Sequence, residues 1–370
     1  MRNLIFGLAR PMMRLLGRDE RGAIGVLIAV LIGGGVLLGM GALAIDVGRL
    51  YQNRAELQNG ADAAALAVAK SCASGACNAG LAGGYANANA SNLTAGKAAV
   101  DLVCGTGGLG GGCATPIINC PSNPAAGTNY VDVRTSTGTP SGLLPPVFAR
   151  TLLGNSGYSG TKVKACAQAE WGPPKTASTI AFTISACEWD KATNQGVTFA
   201  PPPPYPPNAL PAPSLDQVLK IHTTSSGTGC PTEPAGADAP GNFGWTDDSG
   251  NCSVTISNNS YGGNTGVSVS QDCKTALQND QANKTLIFIP VYVKVSGSGT
   301  NAVYSLKGFA AFVITGYHLP GFKVSDWLNP KNDCKGSDFC INGYFTQGLI
   351  PSVGGVGGPN LGATIVVLSG

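Results

Sequence analysis

The stretch RGAIGVLIAVLIGGGVLLGMGALAIDVGRLYQNRAELQNGADAAALAVAK, residues 21–70, decides how the rest of this chain is read. Its first half, Ala23 to Ile45, holds 23 residues without a charge. At about 1.5 Å of rise per residue, a helix of that length crosses the roughly 30 Å hydrocarbon layer of a bilayer with length left for tilt. The second half changes pattern. Leu50, Leu57, Ala61, Ala64 and Val68 recur at intervals of seven, four, three and four, which is the stripe of an amphipathic helix. The reading is a transmembrane helix (23–45) that continues into a stalk helix (46–71). Gly60 costs the stalk about 1 kcal/mol relative to alanine, so support from the domain that follows or from a partner helix is expected.

The net charge of +3 lies entirely in residues 1–22, where Arg2, Arg10, Arg14, Arg18 and Arg21 outnumber Asp19 and Glu20. Arginines on that flank keep the N-terminus in the cytoplasm and export the rest, a single-pass N-in, C-out topology in the cell membrane. Arg10, Arg14 and Arg18 share one helical stripe, suited to a short helix on the inner headgroup surface, and Pro11 limits its length. The remaining chain is neutral, which excludes a basic nucleic-acid surface. Within the span Gly35 and Gly39 form a G-x-x-x-G pair, and Gly25, Ala29 and Gly33 repeat every four residues. Small residues on one face let helices approach closely in lipid, so this face is the candidate for helix packing and self-association; the alternative is that glycine is simply common in membrane helices. Ala42-Leu43-Ala44 before Ile45 also has the form of a signal-peptide cleavage site. Retention of the helix as a signal-anchor is the preferred outcome, because the apolar run exceeds the roughly 7–15 residues of a signal peptide, and release after Ala44 is the alternative.

Charged residues make up only 12% of the chain and glycines number 53, a profile of loop-rich, weakly charged surfaces. All twelve cysteines, from Cys72 to Cys340, follow the span. An even set on the exported side implies an oxidising compartment and a disulfide framework. Cys72 with Cys77, and Cys334 with Cys340, are close enough for local staples, while the remaining connectivity is open. A zinc site needs C-x-x-C spacing or clustered histidines; the chain has no C-x-x-C and only His222 and His318.

Arg21-Gly22-Ala23, the glycine-rich span, Ala44-Ile45-Asp46-Val47-Gly48-Arg49-Leu50-Tyr51 and Leu57-Gln58-Asn59-Gly60-Ala61-Asp62-Ala63-Ala64-Ala65-Leu66 together resemble the N-terminal module of the TadE/TadG-like Flp (tight adherence) pilus-assembly proteins. The resemblance implies a bitopic protein of pilus assembly or its secretion apparatus. Such a protein docks with pilus-assembly or pilin-like membrane proteins and has neither a catalytic role nor a cofactor of its own. Asp46, Arg49, Arg54 and Asp62 are the charged positions shared with the family pattern, and Tyr51 belongs to the same motif. Asp46 and Arg49 mark the outer membrane boundary; Asp62 either satisfies a neighbouring element or lies on a solvated face. Two departures limit what carries over. Pilin-like members are cleaved after a glycine that has a glutamate five residues on, and here Leu27 follows Gly22 at that spacing. Larger members carry a D-x-S-x-S metal motif after an apolar strand; Asp247-Asp248-Ser249-Gly250-Asn251 lacks its last serine and reads as a turn.

Residues 72–175 form a loop-rich α/β region. Ser74 to Gly127 is rich in Gly, Ala, Asn and Thr, with a helix expected at Leu81–Ser91 and a strand at Ala98–Val103. Strands are expected at Tyr130–Arg134 and Thr161–Ala169, with a short helix at Pro146–Leu153 between them, a V-F-A-R arrangement that also resembles the family's later part. Residues 176–370 form a β-rich region, with strands at Thr179–Cys187, Thr285–Val295, Gly308–Gly316 and Ala363–Leu368. Eight prolines lie between Pro201 and Pro213, an extended segment read as an excursion between strands of one domain in preference to an inter-domain linker. The class is therefore α+β, with one transmembrane helix, a stalk, a small α/β unit and a disulfide-tied β-rich ectodomain.

No P-loop, G-x-S-x-G or H-E-x-x-H is present. His318 reads as a packed or edge histidine, Glu188 and Asp190 as a solvated turn, and Trp171, Trp189, Trp245 and Trp327 as core anchors. A structural component acting by docking is the preferred function. The alternative is a membrane-anchored extracytoplasmic binding module, an adhesin or sensor without a pilus role.

Overall fold

In the computed structural model of the chain one helix, α1, runs unbroken from Glu20 to Ala73, 54 residues and about 80 Å. Its two halves meet different surroundings. From Ile24 to Ile45 the large apolar side chains are exposed, Leu37 and Leu38 by three-quarters. From Leu57 onward the predicted stripe is sealed: Leu57, Ala61, Ala64 and Val68 are fully buried. A helix that is apolar all round has no face to offer water, whereas a striped one needs a partner for its stripe, and the sequence changes from one to the other near Asp46. Described residues are 20–91, 93, 97–111, 113, 120–138, 160–206, 209–220, 230, 243–248, 250–264, 268–297, 299–332, 338–350 and 354–369. The basic N-terminal segment and the helix expected at Pro146–Leu153 lie outside them.

The partner of the stripe is a helix and a sheet. Helix α2 (Leu81–Asn89) packs its Ala82 and Ala86 on α1. Strands β1 (Ala98–Gly105), β2 (Asn129–Thr137) and β3 (Lys164–Gly172) form an antiparallel sheet, in register from Ala98 opposite Thr137 and from Asn129 opposite Trp171. Val131, Val133, Ala165, Ala167, Ala169 and Trp171 bring its inner face onto the α1 stripe. The stalk helix is thus a core element of the body, which answers the cost of Gly60. Added at Gly60, a Cβ would stand 2.7 Å from the Ala86 carbonyl oxygen, so this glycine lets α2 close on α1.

Disulfide-held loops cover the outer face of the sheet. Cys104–Cys113 closes a loop over Tyr130, and Cys120–Cys166 ties the following segment to β3. That second bridge spans 46 residues, the largest separation among the five bridges resolved between described residues, and in a chain-entropy account contributes about 4 kcal/mol. Cys72–Cys77 staples the end of α1, as its spacing suggested. Cys187–Cys230 and Cys252–Cys273 tie the second region, and Cys340 is also disulfide-bonded, while Cys334 lies outside the described residues.

The second region holds β4 (Ala177–Ile180), β5 (Phe182–Ser185), β6 (Gln217–Lys220), β7 (Phe243–Thr246), β8 (Ser253–Ile256) and β9 (Ser260–Asn264). After them come β10 (Leu286–Ser296), β11 (Ala302–Leu319), β12 (Phe322–Val324), β13 (Cys340–Thr346), β14 (Gly348–Leu349), β15 (Asn360–Leu361) and β16 (Ala363–Leu368). Its spine is the antiparallel pair β10–β11. Successive residues there face opposite clusters: Ile289, Val291, Phe312 and Ile314 join Phe182 and Trp245, while Phe288, Tyr292, Phe309 and Ala311 join Tyr261 and Tyr304. Burial on both faces is why the sequence reads there as an unbroken apolar run. Pairing continues from β10 through β5, β7 and β9 to β11, which returns to β10, so these strands close a ring, and β13 and β6 extend the sheet beyond it.

Several expectations are corrected. The strand Thr179–Cys187 is two strands broken at Ala181, because Ala181 donates its N–H to Cys252 and accepts from Thr246, passing the chain from β8 to β7. Cys187 is not in a strand at all: Ser185 caps a helix, α3 (Ala186–Ala192), by accepting from the Glu188 N–H. Glu188 and Asp190 therefore lie on that helix rather than in a turn; Glu188 is buried and Asp190 pairs with Lys307 at 3.1 Å. The strand at Gly308–Gly316 extends over 18 residues, and a further helix, α4 (Gln271–Asn283), stands where no helix was expected. The C-terminal strand β16 leaves the β-rich region to pair with β3, so the first sheet receives its fourth strand from the far end of the chain. The proline-rich excursion is pinned to β13 at both ends: Thr346 donates to the Ala200 carbonyl, and β6 pairs with Cys340–Gly343.

Candidate functional site: the stalk and its collar

The residues singled out in the stalk sort by height. Asp46 and Arg49, just past the exposed apolar half of α1, are half-buried. Tyr51 is 73% exposed and Arg54 is also exposed. Between them Asn53 is buried on the stripe and donates through Nδ2 to the Arg49 carbonyl at 2.7 Å. Asn53 was legible, since it falls three residues after Leu50 and four before Leu57, but a search confined to apolar positions passes over it.

Asp62 is joined to its neighbours through Gln58. The Gln58 amide donates to Asp62 Oδ1 at 2.8 Å and to the Cys166 carbonyl at 2.9 Å. The reason lies in the sheet edge. β16 covers β3 only from Ala169 to Gly172, and the Ser369 N–H takes the Gln168 carbonyl at 2.9 Å. The next edge carbonyl, that of Cys166, has no strand beside it and is satisfied by the stalk. Thr135 adds a second cross-link, donating its hydroxyl to the Leu57 carbonyl at 3.1 Å. An unsatisfied buried carbonyl costs about 1–3 kcal/mol, so these bonds fix the rotation of α1 against the sheet.

Where β3 begins, the stalk and the sheet part to leave a cleft of about 400 Å³, lined by Val47, Leu50, Tyr51 and Arg54 of the helix and by Thr161, Lys162, Val163 and Lys164. A second cleft, sharing Arg54 and Lys164, reaches Asp101 and Arg134. Lys162 pairs with Asp101 at 3.5 Å, and Ser136 donates to the same carboxylate. Arg134 meets the buried Asp132 at 3.4 Å; burial pushes the Asp132 carboxyl up, and Arg134 draws it part of the way back. Cys104 and Cys113 approach Asp132 closely enough to suggest a metal group, but their sulfurs are bonded to each other and offer no thiolate.

On the lower half of α1 an added Cβ at Gly25, Gly33 or Gly35 would have no atom within 4 Å, and Ala29 is exposed. His318 lies on β11 opposite Lys323 and Cys340, its ring edge-on to Phe339. Trp171, Trp189 and Trp245 are buried and Trp327 is partly so. His222 lies outside the described residues. Asp247 and Asp248 form a turn in which Asp248 Oδ1 accepts from the Gly250 and Ser253 N–H groups.

These features define a disulfide-tied α+β body built around the upper half of one helix, whose lower half is exposed, apolar and long enough to cross a membrane. Residues 22–71, which are that helix and little else, match the family described as putative Flp pilus-assembly TadE/G-like. The match ends at Ser71, one residue before the first cysteine of the body. No curated protein and no solved structure matches the chain.

Proposed function

We propose that this chain is a membrane-anchored structural component of Flp, or tight-adherence, pilus assembly or its secretion apparatus, and that it acts by docking to other proteins. The reading is single-pass, with the N-terminus in the cytoplasm and the body outside. Its partners are pilus-assembly or pilin-like membrane proteins, and the small-residue face of Gly25, Ala29, Gly33, Gly35 and Gly39 is the route for helix packing, including self-association. No catalysis is assigned to the body. The observation that carries the reading is that the family-matched residues and the continuous helix coincide: 22–71 against Glu20–Ala73. What is similar to the pilus-assembly family is one mechanical element, exposed and apolar below, core-forming above. The test is mild-detergent extraction of the native membrane followed by affinity capture of the full chain. Pilus ATPase, platform or pilin-like subunits are expected to co-purify, and their consistent absence under conditions that preserve other envelope complexes sinks the proposal.

A further inference from the structure

We infer that the cleft between the stalk and the start of β3 is a binding site for the phosphate-ester headgroup of an anionic phospholipid. The inference rests on the membrane-anchor part of the reading above and not on the pilus role. Height is the first argument. Val47 and Leu50 stand two and five residues past Ile45, about 3 and 8 Å along the helix, within or just above a headgroup layer roughly 5–8 Å thick. Arg54 is about 13 Å along, but helical side chains lean toward the N-terminus, which shortens that distance, and Arg54 lines the same cleft as Val47 and Leu50. Tyr51, 73% exposed on the same helix, has the position and amphipathic ring of an interfacial anchor.

Charge is the second argument. Arg54, Lys162 and Lys164 converge from two elements, and neither Asp46 nor Glu56, the acids of this stretch of helix, lines the cleft. Asp101 offsets one of the three cations, in a pair whose members are each at least one-third exposed and which is therefore weak. Two positive charges remain in a chain whose net charge beyond residue 22 is zero. Shape is the third: about 400 Å³, lined by the apolar Val47, Leu50 and Val163 as well as by the cations, fits a ligand with a charged head and an apolar root. A phosphodiester between glycerol groups has that form, and the lysines and arginine supply charge-assisted donors for it.

The test is native mass spectrometry of the full chain in detergent with phosphatidylglycerol and phosphatidylcholine of identical acyl chains at equal concentration. Preferential retention of phosphatidylglycerol is expected. Arg54→Gln with Lys164→Gln should reduce that preference about tenfold, while Lys70→Gln with Lys175→Gln, the same charge change on exposed positions away from the cleft, should leave it intact. Equal retention of both lipids, an unchanged preference in the cleft variant, or an equal loss in the control variant overturns the inference. Displacement of all bound phosphatidylglycerol by excess inorganic phosphate overturns the lipid assignment, marking instead a site for free phosphate. The altered side chains are exposed, and a thermal midpoint matching the parent's verifies folding. Lipid retention is measured on the purified chain, so it can fail while partner capture succeeds, or the reverse.

Discussion

Gly60→Ala sets two effects of known sign against each other. In an isolated helix the change adds about 1 kcal/mol of stability, because alanine gives up less backbone freedom than glycine. In the folded body the new methyl would lie 2.7 Å from the Ala86 carbonyl oxygen and 3.2 Å from the Ala90 Cβ. Ordinary carbon–oxygen contacts begin near 3.3 Å, so α2 must retreat by about 0.5 Å or more. The obstacle is backbone, which no rotamer change can move aside. A gap of that size forfeits about a quarter to a half of each van der Waals contact across the α1–α2 seam, where Ala61, Ala64, Ala82, Ala86 and Ala90 depend on close approach. Overpacking costs about 1–3 kcal/mol, and an obstacle made of backbone belongs in the upper part of that range, so the steric term outweighs the propensity term and leaves a net loss of about 1–2 kcal/mol. The thermal midpoint of the oxidised full chain in detergent, followed by circular dichroism, should fall by about 2–6 °C. Gly84→Ala is the control: it lies mid-helix in α2 with nothing within 4 Å of an added Cβ, and should raise the midpoint slightly. A Gly60→Ala midpoint at or above the parent's would show that the seam does not depend on the glycine, and would refute the claim that the stalk is held by close packing on α2.

Two further outcomes follow from the same structure. A chain beginning at Asp46 keeps every buried stalk residue and should yield a folded, protease-resistant body, whereas one beginning at Ser74 loses the Leu57–Cys72 stripe and should be degraded by limited trypsin. Asp216, buried beside Asp326 and hydrogen-bonded to it and to Thr315, has its carboxyl pushed up to about 8, chiefly by burial. The folded state thus holds a proton that the unfolded chain releases near pH 4, so the stability it contributes is complete below about pH 4 and is lost as pH rises to 8, with a slope approaching about 1.4 kcal/mol per pH unit. Asp216→Asn, whose amide can donate to Asp326 at every pH, should flatten that slope in melts between pH 5 and 8, and parallel curves for variant and parent would contradict it. Asp280, lifted to about 6 by burial, titrates in both proteins and cancels in the difference.

What the sequence made legible is what local periodicity controls. The uncharged run of Ala23–Ile45, the stripe from Leu50 to Val68 and the strands at 130–134, 285–295 and 363–368 each carry their own signal. Partnership was much less visible. Nothing in Ala363-Thr364-Ile365-Val366-Val367-Leu368 says that it pairs with β3, almost 200 residues earlier, rather than with its neighbours. Nor could alternation alone break Thr179–Cys187 at Ala181, since the break exists to exchange one sheet partner for another. At the collar, Arg54 was identified by its motif but Lys162 and Lys164 were not, because a cleft between a helix and a strand 108 residues away leaves no trace in either segment alone.

The exposed apolar half and the core-forming half are one helix, and this has a geometric consequence that a linker would abolish. Only seven residues, Asp46 to Gln52, separate the exposed apolar half from the buried Asn53, about 10 Å of unbroken helix. A glycine- or serine-rich tether would let the body turn freely over the membrane, whereas a helix fixes both its height and its rotation. Rotation can therefore be carried down the helix by counting turns. Gly25, Ala29 and Gly33 stand 29, 25 and 21 residues before Arg54, each within about a sixth of a turn of a whole number of turns at 3.6 residues per turn. Gly35 and Gly39, 19 and 15 residues before it, lie within about a third of a turn. The small-residue face of the lower helix and the cationic mouth of the collar thus share one side of the molecule. A helix packed along that face and continuing upward would meet Arg54 and Tyr51 next, so on the readings proposed above a packing partner in the membrane and a headgroup in the cleft would compete for the same flank of the stalk.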